Sequence, residues 1–127
     1  MTYPLDRKLI VEFVGMFMFA FTVGTATNKA GAGILAPLAI GGALMVLVFA
    51  GGHISGGHFN PAVSAGVFLR GRMTGQEFGA YVVTQFIAAI LGGLIARVVG
   101  GHEAHAAVAG AGRMLIAEFL FTFTLVW

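Results

Sequence analysis

The stretch Gly51–Ala62, GGHISGGHFNPA, follows a long apolar run and decides how the rest of the chain is read. Its four glycines, two histidines, serine and asparagine–proline pair are at odds with the lipid expected on either side. The segment after it, Pro61–Leu69 (PAVSAGVFL), is apolar but only nine residues long. As a helix it rises about 13 Å, less than half of the roughly 30 Å of hydrocarbon in a bilayer, so it cannot span. Asn60 is a favoured helix N-cap and Pro61 suits the first helical position, which places a helix start there. Arg70-Gly71-Arg72 ends that helix with charge and glycine. Residues 53–69 therefore read as a re-entrant element: a loop descends to the middle of the membrane and a half-helix returns to the side it came from.

Working outward, the composition supports a membrane setting. Of 127 residues 58% are hydrophobic and 9% charged, against about 25% charged in a soluble domain. Apolar runs at about 9–27, 34–52 and 78–99 each approach the ~20 residues a spanning helix needs. The expected class is an all-α integral membrane protein with three spanning helices. Arg7 and Lys8 before an apolar stretch resemble a signal peptide, but Glu12 interrupts the stretch and the run is too long for one. The net charge of +2 gives no nucleic-acid surface, and the absence of cysteine excludes disulfides and thiolate metal sites. No cofactor is expected. Placing the N-terminus in the cytoplasm puts Arg7, Lys8, Arg70 and Arg72 inside and Lys29, Arg97 and Arg113 outside, a slim positive-inside bias.

The first helix recurs near the end of the sequence. RKLIVEFVGMFMFAF (7–21) aligns without gaps to RMLIAEFLFTFTLVW (113–127), with six of fifteen positions identical, Glu12 and Glu118 among them. Coincident carboxylates are the telling part, because a carboxylate in a span is costly and rare. The chain crosses three times between the start of the first copy and the start of the second, so the second starts on the opposite side: an inverted repeat, as in many transport proteins. The expected organisation is a first repeat over 1–112 and the start of a second over 113–127. Only 14 residues follow Arg113, too few to cross the bilayer. The fourth helix is accordingly expected to be truncated, the sequence reading as a first half plus the opening of a second.

Irregular backbone at membrane depth is tolerated only where protein buries it or water wets it. The loop's glycines bend easily and admit close neighbours. An extended loop presents successive carbonyl acceptors, and at its end a helix N-terminus carries about half a positive charge. The Asn60 amide adds a donor. A small neutral polar molecule finds acceptors and then a donor, whereas a cation or hopping proton meets a positive dipole end.

HISGGHFNPAV, with the glutamate-led first helix EFVGMF, Gln85 in the third span and the restarted EFLFTF, resembles the first half of the aquaporin (major intrinsic protein) family. The resemblance covers nearly the whole chain. It implies a passive channel for water, with glycerol or other small neutral solutes as further candidates. It also implies a re-entrant half-helix on which Asn60 donates to the permeating molecule while Pro61 and Ala62 fix the junction. The backbone carbonyls of Gly56, Gly57, His58 and Phe59 would then line the pore. The protein would sit in the cell membrane as a homo-tetramer with one pore per protomer. The position that carries an aromatic residue in many water-selective members is Ile40, counted twenty residues back from Asn60. An aliphatic residue there departs from the standard water filter and leaves the solute range open.

Glu12 and Glu118 have two readings: a proton relay, or acceptors for otherwise unpaired amides of the re-entrant loop, the role the resemblance supports. Gln85 must find a partner in its span, either the motif loop or another helix. His53 and His58 are too few for a metal site, and His102, Glu103 and His105 sit in a polar connector. Ala88, Gly92 and Ala96 form a close-packing seam, and Gly41, Gly42 and Ala43 are expected to do the same in the second span. Against the channel stand two alternatives: a secondary transporter fragment whose half-helix holds an anion, and a non-conducting membrane fragment that needs a second half. No nucleophile–base pair supports an enzyme.

Overall fold

The computed structural model describes residues 3–28, 30–100 and 124. Helix α1 spans Leu5–Ala26, a 3₁₀ turn Gly33–Leu35, α2 Ala36–Ser55, α3 Pro61–Leu69 and α4 Gly75–Gly100. Three of these, α1, α2 with its 3₁₀ lead-in, and α4, are long and apolar enough to cross a membrane. The 26 residues of α4 reach about 39 Å and the nine of α3 about 13 Å. Arg113, Glu118, the rest of the second copy apart from Thr124, and the His102–His105 connector lie outside the described residues.

The helix ends differ from those expected, for local reasons. Helix α1 starts four residues early, after Pro4, with Asp6 in its first turn where a carboxylate complements the helix dipole. Helix α2 continues to Ser55, so Gly51, Gly52 and His53 are helical and the loop begins at Gly56 rather than at 53. Glycine weakens a helix without breaking it. The first backbone that cannot continue is Gly56 itself, at φ 96°, a left-handed cap whose N–H closes on the Gly52 carbonyl at 2.9 Å. Helix α4 starts at Gly75 because Thr74 and Glu77 form a capping box. The Thr74 N–H donates to Glu77 Oε2 at 3.1 Å, and the Glu77 N–H donates to Thr74 Oγ1 at 3.2 Å. Lys8 Nζ reaches Glu77 Oε1 at 3.0 Å, tying the starts of α1 and α4 together. At their other ends the Asn28 side chain donates to the Gly100 carbonyl.

Helix α1 is the centre of the packing, with α4 and α2 on it and α3 leaning on α4. The α1–α4 seam is built from Ala88, Gly92 and Ala96, all buried, as the sequence spacing indicates. A Cβ on Gly92 would run into the Phe17 carbonyl and meet Ala20 Cβ at 3.2 Å; one on Gly24 would meet Ala96 Cβ at 2.6 Å. Gly92→Ala is therefore expected to destabilise the fold by about 1–3 kcal/mol, because a carbonyl cannot swing aside as a side chain can. Gly93→Ala, where an added Cβ meets nothing within 4 Å, should instead stabilise by up to about 1 kcal/mol through helix propensity. Thermal unfolding of the two variants in detergent checks the opposite signs.

The expected seam at Gly41 and Gly42 is not formed within the described residues. A Cβ at either position would meet nothing within 4 Å, because α2 turns its other side, through Gly51, toward Val11 of α1. The exterior is strongly apolar, with Ile34 97%, Phe49 89% and Val98 79% exposed. A surface of that kind is stable only against lipid or further protein. Threonines within α1 do not contradict this: Thr22 and Thr25 hydroxyls donate to the Met18 and Phe21 carbonyls one turn back, at 2.8 and 2.9 Å.

Candidate functional site

The site is the loop from Gly56 to Asn60 and the side chains behind it. Gly56, Gly57 and Phe59 have φ of 96°, 65° and 44°. Glycine takes such values freely; for an aromatic residue it is a rare conformation that needs outside support. A loop wound in this way makes few backbone bonds of its own, so its amides need partners elsewhere.

Glu12 supplies most of them. It is fully buried on α1. Its Oε1 accepts from the His58 N–H at 2.9 Å and the Ser55 hydroxyl at 2.7 Å. Its Oε2 accepts from the Phe59 N–H and from Gln85 Nε2, both at 2.8 Å. A carboxylate has about four lone-pair sites, and here four donors occupy them. The Ser55 hydroxyl also accepts from the Gly57 N–H at 3.1 Å, which ties a third loop amide to the same cluster.

A second set of contacts comes from α3 and α4. Gln85 also donates through Nε2 to Ser64 Oγ at 3.0 Å. Ser64 in turn lies 3.0 Å from His58 Nδ1. Tyr81, one turn before Gln85 on α4, donates to the Ser55 carbonyl at 2.7 Å, and its ring lies against that of His58 with centroids 5.2 Å apart. The two histidines are thus used differently: His58 is held in the loop, while His53 sits exposed in the last turn of α2. Among the described residues no buried side-chain nitrogen or oxygen lacks a partner. A fully satisfied polar network of this kind is rigid.

At the end of the loop Asn60 caps α3, its Oδ1 accepting from the Ala62 N–H at 2.8 Å. That bond commits the carbonyl end of the amide, so the two N–H donors are what Asn60 presents beyond the helix terminus. The α3 dipole adds its positive end at the same point. Pro61 occupies the first helical position, half-exposed, and Ala62 is exposed. Ile40 lies in the first half of α2, far along that helix from the loop, and is half-exposed.

The structure therefore brings Glu12, Gln85 and the loop residues Gly57, His58 and Phe59 into one cluster, and leaves Ile40 apart from it. Glu118 lies outside the described residues. Sequence reasoning missed Ser55, Ser64 and Tyr81 as members. Two signals were available: Ser64 is one turn after Asn60 in an otherwise apolar helix, and Tyr81 is one turn before Gln85 on the same face of α4.

Three helices long and apolar enough to cross a membrane, with a short, polar-capped one packed on α4, define a multi-pass membrane protein. The profile of the family described as Major intrinsic protein matches residues 2–127, and the chain belongs to that family, whose members are channels and not enzymes. It is 38% identical to Aquaporin TIP4-2 of Zea mays over 95% of this chain and 54% of that protein. It is 36% identical to Aquaporin Z of Photorhabdus laumondii, over 76% of this chain and 45% of the relative. With Glycerol uptake facilitator protein-like 6 of Lactiplantibacillus plantarum it shares 44% identity, over 67% and 40% respectively. The chain spans about half the length of the curated relatives it matches.

Proposed function

We propose that this chain forms part of a passive transmembrane channel for water and for small neutral solutes such as glycerol. Gly56–Leu69 would be its re-entrant element and Asn60 would stand at the constriction. The observation that carries the reading is Asn60: its Oδ1 is committed to the helix cap, which leaves donors at a positive helix end. A neutral molecule with a lone pair is accepted there, and cations and protons are repelled. The carbonyls of Gly56, Gly57, His58 and Phe59 would line the approach, with Glu12, Gln85 and, in the second copy, Glu118 holding the loops. Ile40 would face the permeant as the filter position on α2. Family membership and the names of both aquaporin and glycerol-facilitator relatives support this range of solutes. A cell-membrane location, a cytoplasmic N-terminus and a homo-tetramer complete the reading.

Glu12 bears on the alternative of a coupled transporter. A coupling carboxylate must exchange its proton with water or substrate, yet all four of its acceptor sites are filled by protein donors. Solute flux into proteoliposomes separates the two mechanisms. The channel reading expects flux that is linear in concentration and equal in both directions. Saturable uptake driven by a proton or sodium gradient would overturn it.

A further inference from the structure

We infer that the Phe59 side chain is a positioning element for Asn60, a pin seated in a slot that Gly15 of α1 and Gly51 of α2 form together. Phe59 is 1% exposed and has its backbone at φ 44°, a left-handed conformation an aromatic residue seldom adopts. Something must hold it there, and two independent contacts do. The first is the N–H bonded to Glu12 Oε2 at 2.8 Å. The second is the fit of the ring. A Cβ on Gly15 would clash with the ring atoms Cδ1 and Cε1 and lie 2.6 Å from Cζ. One on Gly51 would lie 3.4 Å from Cζ and collide with Val11. The ring thus fills space that any other residue at position 15 would take.

Little freedom separates this pin from the cap. Asn60 follows directly with an extended backbone (φ −163°, ψ 124°), and Pro61 has φ fixed by its ring. The Asn60 carbonyl is also held from the far side, by the Ser64 N–H at 3.1 Å. Where the Phe59 ring sits therefore sets where Asn60 and the start of α3 sit. Gly15, on another helix and with no side chain of its own, acts on Asn60 through that ring. Only the last step, from the place of Asn60 to ion exclusion, rests on the function proposed above.

The test reads geometry before transport. With the 127-residue chain in lipid nanodiscs, the NMR signal of the Asn60 side-chain amide and hydrogen exchange at the Phe59 N–H are followed. Gly15→Ala should shift the Asn60 signal and speed Phe59 exchange at least tenfold, whereas Gly41→Ala, placed in open space, should change neither. Adding Phe59→Ala to Gly15→Ala removes every ring atom from the new methyl's way, and should return the exchange rate to that of Phe59→Ala alone. A role in helix packing alone predicts no such rescue. An unmoved Asn60 signal in folded Gly15→Ala, or a double variant no better than the single, would overturn the inference. Should Gly15→Ala fail to fold, Phe59→Leu alone decides. It should broaden or double the Asn60 signal while amides at the α1–α4 seam stay in place, and an unchanged Asn60 signal would again refute it. None of these readouts depends on flux, so their failure is distinct from a failure of the channel reading.

Discussion

Replacing Glu12 by alanine is expected to cost the fold about 4 kcal/mol or more, the largest effect of any single substitution considered. The change takes the acceptor from two backbone amides and a hydroxyl in the interior, and from a Gln85 amide that keeps only its bond to Ser64. A hydrogen bond to a charged group contributes about 1.5–3 kcal/mol, and a buried donor left without a partner costs about 1–3 kcal/mol. The four losses share one site and will not simply add, but even their partial sum rivals a total stability of about 5–15 kcal/mol. Glu12→Gln should recover only part of the loss, because its NH₂ group turns a donor toward donors. Unfolding in detergent, with hydrogen exchange at the His58 and Phe59 amides, measures both effects. Unaltered stability with both amides still protected would show that the loop is held by something other than this carboxylate.

The second large effect is electrostatic and should leave the fold intact. Aspartate caps helices as well as asparagine does, so Asn60→Asp should keep the start of α3. It exchanges the two N–H donors beyond the helix end for a negative charge. A unit charge 4 Å from a passing cation is worth about 1 kcal/mol in water and about 4 kcal/mol in a partly dehydrated setting. Cation or proton leak relative to water flux should therefore rise roughly tenfold or more. Water and proton fluxes measured on the same vesicles check this. A folded Asn60→Asp variant that stays as ion-tight as the parent would refute the account of exclusion at this helix end.

Much of the helix pattern was legible because hydrophobic length is a strong signal. Runs of about twenty apolar residues marked three long helices, and the pair Asn60-Pro61 marked the start of the short one. The ends were less legible, since they depend on local bonds that composition does not show. His53 opens the expected loop in the sequence, yet α2 runs on to Ser55, and Gly51 within it lies where Val11 and the Phe59 ring come close. The same glycine-for-contact logic holds at Gly92, whereas among the described residues nothing packs against Gly41. Which face of a helix meets a neighbour is a tertiary fact, and periodicity alone does not choose among faces. The need of Glu12 for partners followed from the cost of a carboxylate in a span, but which four donors it would find did not. Ser55 lies 43 residues from the carboxylate it bonds, and nothing in its own neighbourhood announces that contact. The place of Tyr81 one turn before Gln85 marks its face of α4 but not its bond to the Ser55 carbonyl, 26 residues away.

The measurement that bears most directly on the channel reading is stopped-flow osmotic shrinkage of proteoliposomes carrying this protein, beside empty vesicles, at several temperatures. A water-filled path past Asn60 predicts shrinkage well above the lipid background, with a lower activation energy than the bare bilayer and no accompanying proton flux. Shrinkage no faster than that of empty vesicles, from protein shown to be folded and inserted, would contradict it.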